Sequence, residues 1–280
     1  MDTIRSARVS VIIPVHNRRE KVREAIASVY AQSWPAWELV VVDDGSDDGT
    51  GQELERLNSR TPPFTIVSLD STHGVSFARN CGVRHSTAPL IAFLDSDDIW
   101  HPAKLAHQVE WFACHPDGVA VQTGERWIRN GRFVNPPATH RKRAGDLFES
   151  SLARCMITPS SVMMRRTLFD ELGGFNESLP ACEDYELWLR LTSRYPVGLV
   201  DTVLLTRYGG HADQLSSRYP RMDRFRIRAL LALISSNTLT ARQLEQARAM
   251  LSFRAGVVAN GFLKRGNRKE YEHYIAFAST

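Results

Sequence analysis

Four short apolar runs, each followed by a stretch of helix length, dominate the first hundred residues. Val9-Ser-Val-Ile-Ile13 is stopped by Pro14, and Glu38-Leu-Val-Val-Val-Asp43, Phe64-Thr-Ile-Val-Ser68 and Leu90-Ile-Ala-Phe-Leu94 follow. The spacing predicts helices over about 18–32, 50–59 and 75–85 between them. Continuous apolar strands that alternate with helices form a parallel sheet covered on both faces. Ligands of such sheets sit beyond the carboxyl ends of the strands. The residues that follow each run are therefore the place to look for chemistry.

The regularity breaks after residue 100. A helix is expected over 102–114, with Pro102 in its first turn. Residues 118–143 read as strand and loop, ending in the breaker Pro136-Pro137 and the basic patch Arg141, Lys142, Arg143. A strand is expected over 160–164, a helix over 184–194 and a strand over 197–208, with helical patterning from about Met222 onward. No internal repeat or low-complexity segment interrupts this order.

Composition narrows the class. Of 280 residues 43% are hydrophobic and 24% charged, which is globular. A net charge of +4 favours anionic partners without choosing among nucleotide phosphates, nucleic acid and an anionic membrane surface. A nucleic-acid module would need a concentrated basic stripe with interleaved aromatics, and the arginines here are dispersed. Cys81, Cys114, Cys155 and Cys182 form no Cys-x-x-Cys pair and read as the reduced cysteines of a cytoplasmic protein. No signal-like apolar core opens the chain, and no apolar run approaches the roughly 20 residues of a membrane helix. Membrane contact is then expected to be peripheral, at the inner face of the cell membrane.

Two acidic clusters close apolar strands: Asp43-Asp44-Gly-Ser-Asp47-Asp48 and Asp95-Ser96-Asp97-Asp98. Carboxylates this close repel one another, and protonation or a bound cation relieves the repulsion. Hard divalent cations prefer oxygen ligands. In extended backbone Asp95 and Asp97 point one way and Asp98 the other, so the first two can converge on one ligand while Asp98 caps the helix near Pro102. Asp, Gly and Ser are also ordinary turn residues, and that reading stays open for 43–48.

Several segments together resemble the inverting nucleotide-diphospho-sugar transferases of glycosyltransferase family 2, which have the GT-A fold. They are Val9-Ser-Val-Ile-Ile-Pro-Val-His-Asn17, Val41-Val-Asp-Asp-Gly-Ser46, Gly74-Val-Ser-Phe-Ala-Arg-Asn80, Leu94-Asp-Ser-Asp-Asp-Ile-Trp-His-Pro-Ala-Lys104, Gly173-Gly-Phe175, Cys182-Glu-Asp-Tyr-Glu-Leu-Trp-Leu-Arg190 and Tyr208-Gly-Gly-His211. The resemblance covers about residues 8–217. It implies an α/β fold with a mostly parallel central sheet flanked by helices, and a helical extension over 218–280. The catalytic domain, 1–217, would divide into a nucleotide-binding half, 1–117, and an acceptor-binding half, 118–217.

The resemblance also assigns roles. Pro14, Val15, His16 and Asn17 would lie against the nucleobase, and Asp44 would accept from its imide N–H, which points to a UDP-sugar. Arg79 would sit near base and diphosphate as a fixed positive charge. Asp95, with Ser96, would contact the donor, and Asp97, Asp95 and His211 would hold Mn²⁺ or Mg²⁺, which neutralises the departing diphosphate. Asp184 would be the general base toward the hydroxyl of a saccharide or lipid-linked saccharide acceptor. Glu183 reads as a first-turn acid serving the helix dipole, and Glu186 as helix surface. The expected setting is the assembly of bacterial cell-surface polysaccharide or glycolipid.

Other functions remain to be weighed. A nucleotidyltransferase would want a glycine-rich, basic loop where Pro14-Val-His-Asn17 stands, and a dehydrogenase a Gly-x-Gly-x-x-Gly. A nucleotide-sugar-binding protein without turnover would look alike but need not keep Asp97, Asp184 and His211 together. The arginine-rich segment after 218 reads either as helices packed on the catalytic domain or as an amphipathic surface that meets anionic lipid. Core-facing stripes are the commoner cause of such a pattern.

Overall fold

The computed structural model describes residues 7–135, 137–210, 219 and 221–278. Strand β1 (Val9–Val15) is buried along its whole length, as a continuous β-branched run requires when both faces are covered. It pairs in parallel with β2 (Glu38–Asp43) and β4 (Leu90–Phe93), and β3 (Thr65–Ser68) extends β2 in parallel. Helices α1 (Arg19–Tyr30), α2 (Thr50–Asn58) and α3 (Val75–Arg84) make the crossovers. The register sets Val15 beside Asp43 and Ile12 beside Phe93. The loops after β1, β2 and β4 therefore emerge along one edge of the sheet.

Beyond β4 the sheet changes direction. The strand order is β3-β2-β1-β4-β8-β6-β9-β5, with β7 hydrogen-bonded to β6. Here β5 is Ile99–Trp100, β6 Ala120–Arg129, β7 Arg132–Val134, β8 Met163–Arg165 and β9 Gly198–Gly209. Strand β8 runs antiparallel to both β4 and β6, while β6 and β9 are parallel. Helices α4 (Lys104–Cys114), α5 (Phe148–Ala153), α6 (Arg166–Leu172) and α7 (Glu183–Thr192) cover this second half.

Two expectations shift. The strand expected over 160–164 begins with a helical turn, Pro159–Ser161, and pairs only from Met163. Ser160 is drawn toward the strand-four loop: its hydroxyl accepts from the Asp95 amide at 3.0 Å, and its carbonyl accepts from the Trp100 indole at 2.8 Å. Asp98 does not cap the following helix. The short strand β5 intervenes, and Asp98 is buried where its carboxylate accepts from the Tyr208 amide on β9 at 3.2 Å.

The C-terminal helices α8 (Asp223–Ser235), α9 (Ala241–Leu263) and α10 (Arg268–Ile275) pack on the second half. Leu230, Leu233, Leu251 and Phe262 share one apolar cluster with Phe148 and Leu152 of α5 and with Tyr185 and Leu189 of α7. Thr240 starts α9 with a reciprocal capping box to Gln243. No described helix is long and apolar enough to cross a membrane.

Helix α3 lies unusually close to the sheet. A Cβ on Gly82 would stand 2.5 Å from Cγ2 of Ile12 on β1. An exposed helical Gly→Ala change gains about 0.5–1 kcal/mol, but here the methyl has no room. Gly82→Ala should instead destabilise the protein by about 1–3 kcal/mol, the usual cost of overpacking. Urea denaturation measures it; a stabilised variant would contradict the close packing of α3 on β1.

Candidate active site

The loops after β1 and β2 interlock. The Asn17 amide donates to the Ser46 hydroxyl at 2.9 Å, and the Asn17 side-chain oxygen accepts from the Asp47 amide at 2.9 Å. Nδ1 of His16 lies 2.8 Å from the Asp44 carbonyl. Pro14 and Val15 end β1 just beneath this contact.

The first acidic cluster divides its work. Asp43 accepts from the Ser46 amide and Asp48 from the Thr50 amide, so both stabilise the turn. Asp44 reaches across to the 71–74 loop, where its two oxygens accept from the amides of His73 and Gly74 at 2.7 and 2.8 Å. Gly45, at φ 67°, permits that approach: a Cβ there would sit 2.6 Å from the Ser71 carbonyl carbon. A carboxylate offers about four acceptor positions, so Asp44 keeps capacity for a further donor.

The second cluster is held by arginines. Arg79 Nη2 contacts Asp95 at 2.6 Å, and Arg18 Nη1 contacts Asp97 at 2.5 Å. Asp95 and Asp97 remain partly open to solvent, while Ser96 and Asp98 are buried. Burial, and then the neighbouring Asp97 charge, push the Asp98 carboxyl well above the usual carboxylate range.

Arg79 is itself buried and faces a second carboxylate: Nη1 contacts Glu183 at 2.7 Å. Its guanidinium also lies over the Phe175 ring, 5.0 Å from the centroid. The next residue, Asn80, accepts from the Phe175 amide at 2.9 Å and donates to its carbonyl at 2.8 Å. Helix α3 thus joins the strand-four loop to Gly173-Gly-Phe175 and to the start of α7. Burial, and then the adjacent Asp184 charge, raise Glu183 to about 7 against the opposing pull of Arg79. Glu183 is therefore an ion-pair partner, more than a dipole acid. Glu186 is buried rather than surface; it holds Arg190 at 2.8 and 2.6 Å, and Arg190 in turn donates to the Leu172 and Gly174 carbonyls that close α6.

Asp184 follows Glu183 and is half-buried. The Cys155 thiol donates to its Oδ2 at 3.2 Å. Burial, and then Asp184 itself, push that thiol well above its ordinary value, so it stays protonated as a donor. His211 lies outside the described residues. Among the described residues no group of three or more His, Cys, Asp or Glu side chains is arranged around a metal position. Mg²⁺ sites often take only one or two protein carboxylates plus substrate phosphates, and Asp95 and Asp97 fit that donor set.

Some residues here had no signal in the sequence. Arg18 stands next to the matched Asn17, at the start of the expected helix, and carries no signal of its own. Glu125 on β6 and Lys142 lie 3.2 Å apart, in a stretch the sequence reads only as strand and loop, and only the basic patch 141–143 drew notice. Cys155 is a lone cysteine until the fold sets it beside Asp184.

The sequence profile described as Glycosyl transferase family 2 matches residues 10–173. The chain belongs to that family. A second profile, Glycosyltransferase like family 2, matches residues 139–237. The chain is 32% identical over 189 residues to the Escherichia coli UDP-Glc:alpha-D-GlcNAc-diphosphoundecaprenol beta-1,3-glucosyltransferase WfgD, covering 65% of this chain and 69% of WfgD. It spans only 35% of the length of two uncharacterised Rickettsia glycosyltransferases that it matches at 30% identity. In fold it is similar to Staphylococcus aureus TarS 1-349, solved with UDP-GlcNAc (TM-score 0.71, 17% identity, 96% of this chain and 90% of that one). It is also similar to the Pyrobaculum calidifontis mannosyltransferase PcManGT, solved with GDP-Man and Mn²⁺ (TM-score 0.64, 20% identity, 98% and 87%). The family 2 chain thus has the GT-A architecture of these transferases.

The raised Glu183 has a consequence for stability. In the unfolded chain it titrates near the ordinary carboxylate value, about 4.3; in the folded one near 7. Between those values the folded state binds the extra proton, so the stabilising contribution is complete below the lower value and lost as pH rises through the higher. Unfolding free energies at pH 5 and pH 7.5 should show a decline on the order of 1 kcal/mol or more. Glu183→Gln should flatten it, and an unchanged decline in that variant would refute the buried titration.

Proposed function

We propose that this family 2 glycosyltransferase moves a sugar with inversion from a nucleoside-diphosphate donor, a UDP-sugar, to a hydroxyl of a saccharide or lipid-linked saccharide. The observation that carries the reading is the double contact of Arg79. One guanidinium pairs with Asp95 in the loop after β4 and with Glu183 at the start of α7. Asp184 is the next residue, and its adjacency to this ion pair supports a role near the acidic motif.

In this reading the loop Pro14 to Asn17 and the Asp44 loop form the wall against the base and ribose. Asp44 is oriented by the amides of His73 and Gly74. Asp95 and Asp97, with His211 as a further candidate, would hold the divalent cation. That cation, when bound, neutralises the diphosphate as it leaves. Asp184 takes the acceptor hydroxyl proton as the oxygen attacks the anomeric carbon from the face opposite the diphosphate. The C–O bond to the acceptor forms, the bond to the diphosphate breaks, and configuration inverts in one displacement. A single carboxylate base is enough for this step.

The name of WfgD and the UDP-GlcNAc title of the TarS structure support a nucleotide-sugar donor. The Mn²⁺ in the PcManGT title supports a divalent cation. The name of WfgD also supports an acceptor carried on a lipid diphosphate, and with it a role in cell-surface polysaccharide or glycolipid assembly.

Asp184→Asn tests the base. With UDP-sugars, Mn²⁺ and a polyprenyl-diphosphate-linked sugar, the variant should lose about 10²–10⁴-fold in transfer, the usual worth of a general base. UDP affinity, measured by calorimetry, should stay within about twofold. Wild-type turnover in Asp184→Asn would remove the assignment, and donor binding without any UDP release by the wild type would point to a binding protein.

A further inference from the structure

Between α5 and β8 the chain crosses the interior with no regular structure beyond the helical turn at Pro159–Ser161. Residues 156–160 are all buried, and a buried loop must find a partner for each backbone carbonyl. Side chains supply most of them here. Lys142 Nζ donates to the Met156 carbonyl at 3.1 Å, and the Cys155 thiol donates to the Ile157 carbonyl at 3.1 Å. The Ser161 amide and hydroxyl donate to the Thr158 carbonyl at 2.9 and 2.8 Å, and the Trp100 indole donates to that of Ser160 at 2.8 Å. Lys142 also reaches Glu125 at 3.2 Å and the Thr158 hydroxyl at 3.0 Å, and that hydroxyl donates to Glu125 at 2.7 Å. Lys142, from the basic patch, and Glu125, on β6, thus clamp the middle of the segment.

The two ends of the segment touch the groups to which the proposed reaction assigns chemistry. At one end the Cys155 thiol donates to Asp184 Oδ2 at 3.2 Å; at the other the Ser160 hydroxyl accepts from the Asp95 amide at 3.0 Å. Five residue steps reach at most about 18 Å, so the segment also limits how far Asp184 can stand from the acidic motif. Asp184 Oδ1 takes the Tyr185 amide at 2.6 Å, one of the first-turn N–H groups that a helix leaves without a partner. With one donor on each oxygen the plane of the carboxylate is fixed, and about two of its four acceptor positions are left for an incoming hydroxyl. Burial, and then Asp184, hold the thiol well above its ordinary pKa, so it donates and keeps its proton. The Ile157 carbonyl offers the S–H a second acceptor, to which it can turn once Asp184 has taken a proton.

We infer that residues 155–160 form a strap that sets the base against the acidic motif, with Cys155 as the positioning residue for Asp184. The inference rests on the reading of Asp184 as the general base, and adds to it the group that orients that carboxylate. A thiol is a weak donor. It fixes the direction of the carboxylate while holding its charge less firmly than an ammonium or guanidinium would, which leaves the carboxylate free to accept the proton of a hydroxyl.

The test is transfer kinetics on the full chain, in the assay applied to Asp184→Asn. Cys155→Ala should lower kcat about 10–100-fold, the scale of a slightly misplaced reacting group, and leave the KM of both substrates within about twofold. Cys155→Ser keeps a donor and should recover part of the loss. In an Asp184→Asn background Cys155→Ala should cost nothing further. Wild-type kcat in Cys155→Ala would overturn the inference and leave the base reading intact. A Cys155→Ser variant as slow as Cys155→Ala, or an equal loss in both backgrounds, would also overturn it, by assigning the effect to packing. Wild-type turnover in Asp184→Asn would overturn the base reading and the inference with it. The infrared S–H stretch gives a readout that needs no substrate: the band that disappears in Cys155→Ser should move to higher frequency in Asp184→Asn, and an unmoved band would overturn the thiol–carboxylate contact. Thermal melting of each variant separates loss of positioning from loss of structure.

Discussion

The buried guanidinium of Arg79 is the charge around which the two halves of the molecule are organised. Taking one charge from water costs several kcal/mol even after relaxation, and only close carboxylates with good geometry offset it. Asp95 and Glu183 do so at 2.6 and 2.7 Å, one from each half. Removing both partners would leave an uncompensated charge in the interior. The strand-four loop and the start of α7 are thus held in register by electrostatics that tolerate little displacement. Asn80, bonded to both backbone groups of Phe175, fixes the same joint without charge.

The acidic motif depends on this arrangement. Asp95, Asp97 and Asp98 stand within four positions of one another and cannot all ionise cheaply. The structure resolves the conflict three ways. Asp95 is paired with Arg79, and Asp97 with Arg18. Asp98 is buried against the Tyr208 amide with its pKa well raised. What remains partly open to solvent is a pair of carboxylates already balanced by arginines.

Much of the first half of the fold was legible in the sequence because its signals are local. The runs at 9–13, 38–43, 64–68 and 90–94 are continuous and β-branched, and each became a parallel strand within a residue or two of its expected bounds. The second half was harder because its constraints are long-range. Nothing near residue 160 announces that its hydroxyl must meet the Asp95 amide, so the strand there was placed too early. Asp98 looked like a helix cap because the two-residue strand β5 has no pattern of its own; only β9 makes it a strand. At the site, Asp95, Asp97 and Asp184 stood out by position after strands or at a helix start. Glu183, Glu186 and Cys155 did not, since their meaning lies in partners 29 to 104 residues away or in the closure of α6. Lys104 shows the limit of residue-type reasoning: it is fully buried, with Nζ bonded to Gln108 at 2.7 Å and set 4.0 Å over Trp100.

The claim that one ion-paired arginine joins the strand-four loop to the start of α7 is tested most directly by a double-mutant cycle on Arg79→Met and Glu183→Gln, read by urea denaturation at pH 7.5. The account predicts that the effects of the two changes are non-additive, with a coupling of about 1.5 kcal/mol or more, as contacting buried charges show. Additive losses within about 0.5 kcal/mol would mean that the two residues act independently, and would contradict the account.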